Sequence, residues 1–142
     1  MRHFLVFLAF ILTAPLASAT DRSSSPQSIE QSYGRNYKDM VLATCVANAY
    51  KGDENAAKDA GSSASALRDW TYYDLEKSPD EVKALVNSYL GRSYKNPLVE
   101  AEVKGVRFDF LKCLDLYHSK ELDSLAKKIV INPNHTYKQD NP

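Results

Sequence analysis

The chain has 142 residues and carries 18 Lys and Arg against 18 Asp and Glu, so its formal net charge is zero. A chain of this size supports one hydrophobic core. The even balance leaves no basic excess to neutralise phosphates or anionic lipid headgroups, which argues against nucleic acid and membrane surfaces as partners.

Arg2 and His3 precede the apolar run from Phe4 to Leu12, and Ala17-Ser18-Ala19 supplies the small residues a signal peptidase accepts. Residues 1–19 therefore read as a signal peptide, with the mature chain expected to begin at Thr20. The run is too short to span a bilayer core of ~30 Å, so an exported protein with no membrane attachment after cleavage is expected. Removing residues 1–19 takes away Arg2 and leaves 123 residues with 17 basic and 18 acidic side chains. Residues 20–34 read as a flexible leader, since Thr20 to Ser32 is serine-rich, contains Pro26 and has little apolar surface to offset the entropy of ordering.

Residues 35–131 read as a single helical domain. A first helix is predicted from Arg35 to Tyr50, where Tyr37, Met40, Val41, Thr44, Cys45 and Asn48 recur at three- and four-residue steps. Lys51-Gly52 stops it and Asp53 caps the next. From Asn55 to Glu76 the helical pattern is interrupted by Gly61-Ser62-Ser63, which predicts two helices or one kinked helix. Ala57, Ala60 and Ala64 permit close helix approach there, while Leu67, Trp70, Tyr73 and Leu75 supply bulk. Ser78-Pro79-Asp80-Glu81 reads as a serine cap with a capping box, opening a helix from Pro79 to Leu90 that buries Val82, Leu85, Val86 and Tyr89. Gly91 is expected to end it in the left-handed conformation.

After a loop from Gly91 to Pro97, a long helix is predicted from Leu98 to Tyr117 with Val99, Val103, Val106, Phe110, Cys113 and Tyr117 as its inner stripe. Ser119 caps a last helix to Val130, whose inner face is Leu122, Leu125, Ala126, Ile129 and Val130. Residues 132–142 read as a flexible polar tail. No alternating run is long enough for a strand. The expected fold is all-α, a compact bundle of about five or six helices.

Cys45 and Cys113 are the only cysteines, and both fall on inward helical positions. An even pair in an oxidising compartment is expected to be bridged. Such a bridge closes a loop of 68 positions, which the chain-entropy model values at about 4 kcal/mol.

Catalytic chemistry finds little support. A thiol nucleophile would need Cys45 or Cys113 beside His118 or His135, yet inward cysteines favour the disulfide and His135 lies in the tail. Glu100 with Glu102, or Asp80 with Glu81, are adjacent carboxylates better read as helix-dipole partners and solvated surface. His118 and His135 stand far apart, and no HxxxH or CxxC spacing occurs, so neither a metal nor a cofactor is expected. Two segments suit recognition instead. Arg92, Ser93, Tyr94, Lys95 and Asn96 lie on a loop braced by Gly91 and Pro97, a composition that fits protein contacts, although composition alone favours an ordinary polar connector. In Asp69-Trp70-Thr71-Tyr72-Tyr73, three aromatics in four positions cannot all face one side of a helix. At least one should reach the surface, with Trp70 or Tyr73 open to being core.

The stretches Tyr37-Lys38-Asp39-Met40-Val41-Leu42-Ala43-Thr44-Cys45, Leu67-Arg68-Asp69-Trp70-Thr71-Tyr72-Tyr73-Asp74-Leu75-Glu76 and Phe110-Leu111-Lys112-Cys113-Leu114-Asp115-Leu116-Tyr117 together resemble an exported family. It is that of the periplasmic immunity proteins that neutralise amidase effectors of the type VI secretion system, in the fourth amidase group. The likeness runs from about Tyr33 to Val130. It implies an all-helical homodimer, not itself an enzyme, that inhibits a peptidoglycan amidase delivered into the periplasm by sister cells. The amidases themselves are similar to papain-like hydrolases that use a cysteine and a histidine. It further implies inhibition by occlusion, with a protruding loop in the enzyme's groove and a helix of the other protomer adding contact. By that resemblance the loop maps to Arg92, Ser93, Tyr94, Lys95 and Asn96, and the helix to Ser62–Glu76 with Trp70 and Tyr73. Two other readings are an exported inhibitor of another lytic enzyme, such as lysozyme, and a cell-wall hydrolase with an unrecognised site.

Overall fold

The computed structural model describes residues 26–142; the expected signal peptide and the start of the leader lie outside the described residues. The described residues form a short 3-10 turn, Gln27–Ile29, and seven α-helices: α1 Tyr33–Ala49, α2 Glu54–Asp69, α3 Ser78–Leu90, α4 Pro97–Glu102, α5 Asp109–Tyr117, α6 Lys120–Ile129 and α7 Tyr137–Asp140. The fold is all-α, as the sequence predicts; α4 and α7 are short. Among the described residues the only β-pairings are two isolated bridges, Ser32 with Thr136 and Tyr73 with Val130.

The core is built around α1, against which α2, α3, α5 and α6 all pack. Ser32 opens it by accepting from the Arg35 amide at 3.4 Å. Its buried face is Tyr33, Asn36, Tyr37, Met40, Val41 and Cys45, which keeps the predicted steps as far as Cys45 and extends them one turn earlier, while Thr44 is half-buried and Asn48, also placed in that stripe, is exposed near the helix end. Cys45 and Cys113, both fully buried, are joined as expected, linking α1 to α5. α6 also behaves as read: Ser119 accepts from the Leu122 amide at 3.1 Å, and Leu122, Leu125, Ala126, Ile129 and Val130 are buried.

α2 is one continuous helix, so Gly61-Ser62-Ser63 does not break it. Good helix formers surround the weak ones, Asp53 caps it through the Ala56 amide at 3.1 Å, and Arg68 lies in its last turn, favourable to the dipole. It stops at Asp69 rather than near Glu76, because the chain turns away to bridge Tyr73 to Val130.

α3 departs from the reading at both ends. Ser78 is not the cap; its buried hydroxyl lies 2.8 Å from the Tyr37 hydroxyl, and Glu81 pairs with Lys128 instead of closing a box. The turn before α3 is held by the Asp74 carboxylate, which accepts from the amides of Glu76 at 3.1 Å and Lys77 at 3.0 Å. Gly91 has φ −73°, a right-handed conformation, so the left-handed ending is not present.

The largest correction concerns the helix expected from Leu98 to Tyr117. It is broken into α4 and α5 by a turn in which Gly105 has φ +75° and Phe108 φ +55°. Gly105 lies in the middle of the stripe, where a glycine costs about 1 kcal/mol of helix stability, and three β-branched valines around it add no compensating propensity. Of the predicted inner face, Val99, Val103 and Phe110 are exposed, and Cys113 alone is fully buried.

The segments flanking the expected domain meet. Tyr33 and Gly34 donate their amides to His135 and Pro133 at 2.8 and 2.9 Å, and the Tyr33 hydroxyl donates to Asp140 at 2.9 Å. Gly34 permits this approach, since a Cβ there would lie 3.1 Å from the Pro133 carbonyl oxygen. The segment 132–142, tail-like in composition, thus carries α7, opened by a capping box of Thr136 and Gln139.

Two consequences are testable. Reducing the Cys45–Cys113 bond, or replacing both residues by alanine, is expected to lower unfolding stability by about 4 kcal/mol, read as a shift in the denaturant midpoint; an unchanged midpoint contradicts it. Burial is the largest cause holding the Tyr33, Tyr37, Tyr73 and Tyr117 phenols above their usual range, so each ionises first in the unfolded chain. Their contribution is full below the unfolded tyrosine value of about 10 and is lost as pH rises through the higher folded values. Denaturation midpoints should therefore fall between about pH 9 and about pH 11, with a flat profile as the contrary result.

Candidate recognition site

The loop between α3 and α4 starts at a helix end and finishes at a helix cap, and its own side chains do much of the anchoring. The Leu90 carbonyl, at the C-terminus of α3, accepts from Lys112 Nζ on α5 at 3.2 Å. The Arg92 guanidinium lies over the Tyr89 ring, 3.4 Å from its centroid. The Tyr94 hydroxyl donates to the Asp115 carboxylate on α5, and that bond is the first cause lifting the Tyr94 phenol above its usual range. Asn96 caps α4 by accepting from the Val99 amide at 3.3 Å while its own amide donates to Glu100 at 2.8 Å, with Pro97 in the first turn.

Three of the five loop residues named from sequence, Arg92, Tyr94 and Asn96, are thus turned onto the protein's own scaffold. Ser93 and Lys95 are exposed and make no side-chain hydrogen bond among the described residues. Tyr94 and Lys95 line two clefts, one shared with Phe108 and Leu111, the other with Glu100 and Lys104.

Below the loop, Lys112 is 5% exposed, and Asp109 is nearly as enclosed. The ammonium pairs with Asp109 at 2.9 Å, and Asp109 takes a second ion pair from exposed Arg107 at 3.1 Å. Beside it runs an apolar surface that sequence reasoning missed. Leu98 is 81% exposed and Val103 53%, and Val99, Phe110 and Leu111 are also exposed. Val99, Val103 and Phe110 belong by spacing to a buried helical stripe, which the turn at Gly105 and Phe108 interrupts.

The second sequence-predicted segment is not brought to the loop. Tyr73 is 9% exposed and packs edge-on against Tyr37 at 5.3 Å between centroids, so it belongs to the core. Trp70 is half-buried, and its carbonyl accepts from Asn36 at 3.3 Å. The aromatic that reaches the surface is Tyr72, 44% exposed, which also meets Tyr33 edge-on at 5.1 Å.

No thiol remains to act as a nucleophile, since both cysteines are in the disulfide. His135 pairs with Asp140 at 3.1 Å and His118 lies edge-on to Tyr117. Among the described residues no group of three or more His, Cys, Asp or Glu is placed to hold a metal ion, and no helix is long and apolar enough to cross a membrane.

The family model and the solved structures that match point the same way. A family model described as type VI secretion system (T6SS) amidase immunity protein, Tai4, matches residues 35–126. Among solved structures, the chain is similar to one described as "New Type VI-secreted toxins and self-resistance proteins in Serratia marcescens", with 28% identity over 87% of this chain and 98% of that one, and a TM-score of 0.74. It is also similar to a chain in the structure of the effector–immunity system Tae4 / Tai4 from Salmonella typhimurium, with 26% identity over 74% of this chain and 96% of that one, and a TM-score of 0.63. No curated protein matches the chain.

Proposed function

The chain belongs to the type VI secretion system amidase immunity family, Tai4, and from that premise we propose that it protects its own cell by binding a peptidoglycan amidase effector and occluding the active site. The partner is a cognate amidase delivered by sister cells. The place of action is the periplasm, reached by the signal peptide at residues 1–19. The protein works as a binding surface and performs no bond-breaking itself.

The observation that carries the occlusion reading is the braced loop Arg92–Asn96. A segment already held at Leu90, Arg92, Tyr94 and Asn96 loses little conformational entropy on docking, which is the main cost a loop inhibitor faces. Ser93 and Lys95, exposed and without side-chain partners among the described residues, are the foremost contacts with the enzyme. Trp70, with the neighbouring exposed Tyr72, is a secondary contact contributed by the other protomer of a homodimer; Tyr73 supports that segment from the core.

Replacing Arg92 to Asn96 by glycine and serine is expected to weaken inhibition of the cognate amidase while leaving the far-UV circular dichroism of the helices intact. Full inhibition by that variant refutes the loop assignment. Light scattering on the purified exported chain should return the mass of two copies, and a monomer mass at working concentration removes the homodimer from the proposal.

A further inference from the structure

Lys112 is a buried cation placed where composition offers no reason for one. It lies on α5 next to Cys113, which the disulfide fixes to α1, so the rotation and height of α5 are set by the core. From that fixed helix, Lys112 neighbours Asp109 three residues before it and Asp115 three residues after it. Lys112 takes the last carbonyl of α3, at Leu90, and Asp115 takes the Tyr94 hydroxyl four residues further along the loop. The ammonium also stands 6.0 Å from the centroid of the Tyr94 ring, at the limit of a cation–π contact.

We propose that Lys112, with Asp115, is a positioning residue of the inhibitory loop, transferring the fixed geometry of the disulfide-linked α1–α5 pair to Gly91–Asn96. This rests on the reading of that loop as the part that enters the amidase. The energetic argument is one of elimination. A buried ion pair such as Lys112–Asp109 contributes little net stability over apolar residues of the same volume, because desolvation offsets the attraction. What an apolar residue could not supply is a directed donor to the Leu90 carbonyl, at the negative end of α3, where the loop departs. The consequence of the lysine is therefore in where the loop begins rather than in how stable the fold is.

The test is a double-mutant cycle on the full exported chain against the type VI amidase effector of the same strain. Lys112→Met removes the donor at similar volume and leaves Asp109 paired with Arg107. Asp115→Ala, at an exposed position, releases Tyr94 without touching the core. Each variant is made in the native chain and in the chain whose loop is replaced by glycine and serine. Each is expected to weaken binding roughly tenfold, mostly through faster dissociation, and to add nothing in the loop-replaced background. Amide hydrogen exchange in 92–96 should quicken while exchange in α1 and α6 holds. Equal losses in both backgrounds, or unchanged affinity in both single variants, overturns the positioning role. If loop replacement itself leaves affinity intact, the loop reading fails first; if it weakens binding while Lys112→Met and Asp115→Ala do not, only the positioning role fails.

Discussion

The bond between Cys45 and Cys113 ties together two helices that are far apart in the chain and adjacent in the core. α1 carries the largest buried side chains, Tyr33 and Tyr37, and makes the central contacts with α2, α3, α5 and α6. α5 by contrast has only nine residues, too few to be stable alone in water. Crosslinking across 68 positions contributes about 4 kcal/mol against a typical net stability of roughly 5 to 15 kcal/mol. Without it α5 would be held mainly by Cys113, Leu116 and the short packing they allow. Everything that grips the loop between α3 and α4 from below stands on α5, so the order of that surface descends from the disulfide.

A loop of the kind proposed for Arg92–Asn96 has two requirements that compete for the same side chains: it must be ordered before binding, and it must present groups to the partner. Here the two are divided. Arg92, Tyr94 and Asn96 are spent on Tyr89, Asp115 and the α4 amides, and Ser93 and Lys95 point outward between them. Exposed Arg107 contributes little by its own ion pair in water. Its effect is to give the enclosed Asp109 carboxylate a second partner besides Lys112, which also holds the Leu90 carbonyl.

How much of this was legible depends on whether a signal is local or not. The faces of α1 and α6 follow from spacing alone: α6 is strongly amphipathic and opened by Ser119, and the buried residues of α1 recur at three- and four-residue steps through a continuous helix. The disulfide followed from two cysteines at inward positions in a chain whose first residues read as a signal peptide. The break at Gly105–Phe108 was hidden because Val99, Val103, Val106 and Phe110 keep a helical rhythm that one glycine did not appear to interrupt. Ser78 misled for the opposite reason: the sequence had a complete capping box, and a buried partner from α1, Tyr37, took the hydroxyl. Of the site, the loop residues were visible as a composition, but which of them bond to the scaffold was not, since Asp115 and Lys112 approach from 21 and 22 positions away. The recruitment of 132–142 to α1 was equally non-local, resting on backbone pairing that has no sequence period.

The interruption after α4 has an energetic side that bears on the site. Phe108 adopts the left-handed conformation, which costs a non-glycine residue about 1 to 2 kcal/mol. Its carbonyl nevertheless opens α5 by accepting from the Lys112 amide at 3.0 Å, so the strained residue sets the first turn of the helix that holds the loop. A straight helix from Leu98 to Tyr117 would remove the strain and bury the valines in register with Cys113. It would also carry Asn96 with α4 roughly 25 to 30 Å along the α5 axis from Asp115, out of reach of the bond that holds Tyr94. Strain at Phe108, exposure of Leu98 and Val103, and a loop fixed at both ends are on this account three results of a single choice, made where Gly105 lets the chain turn.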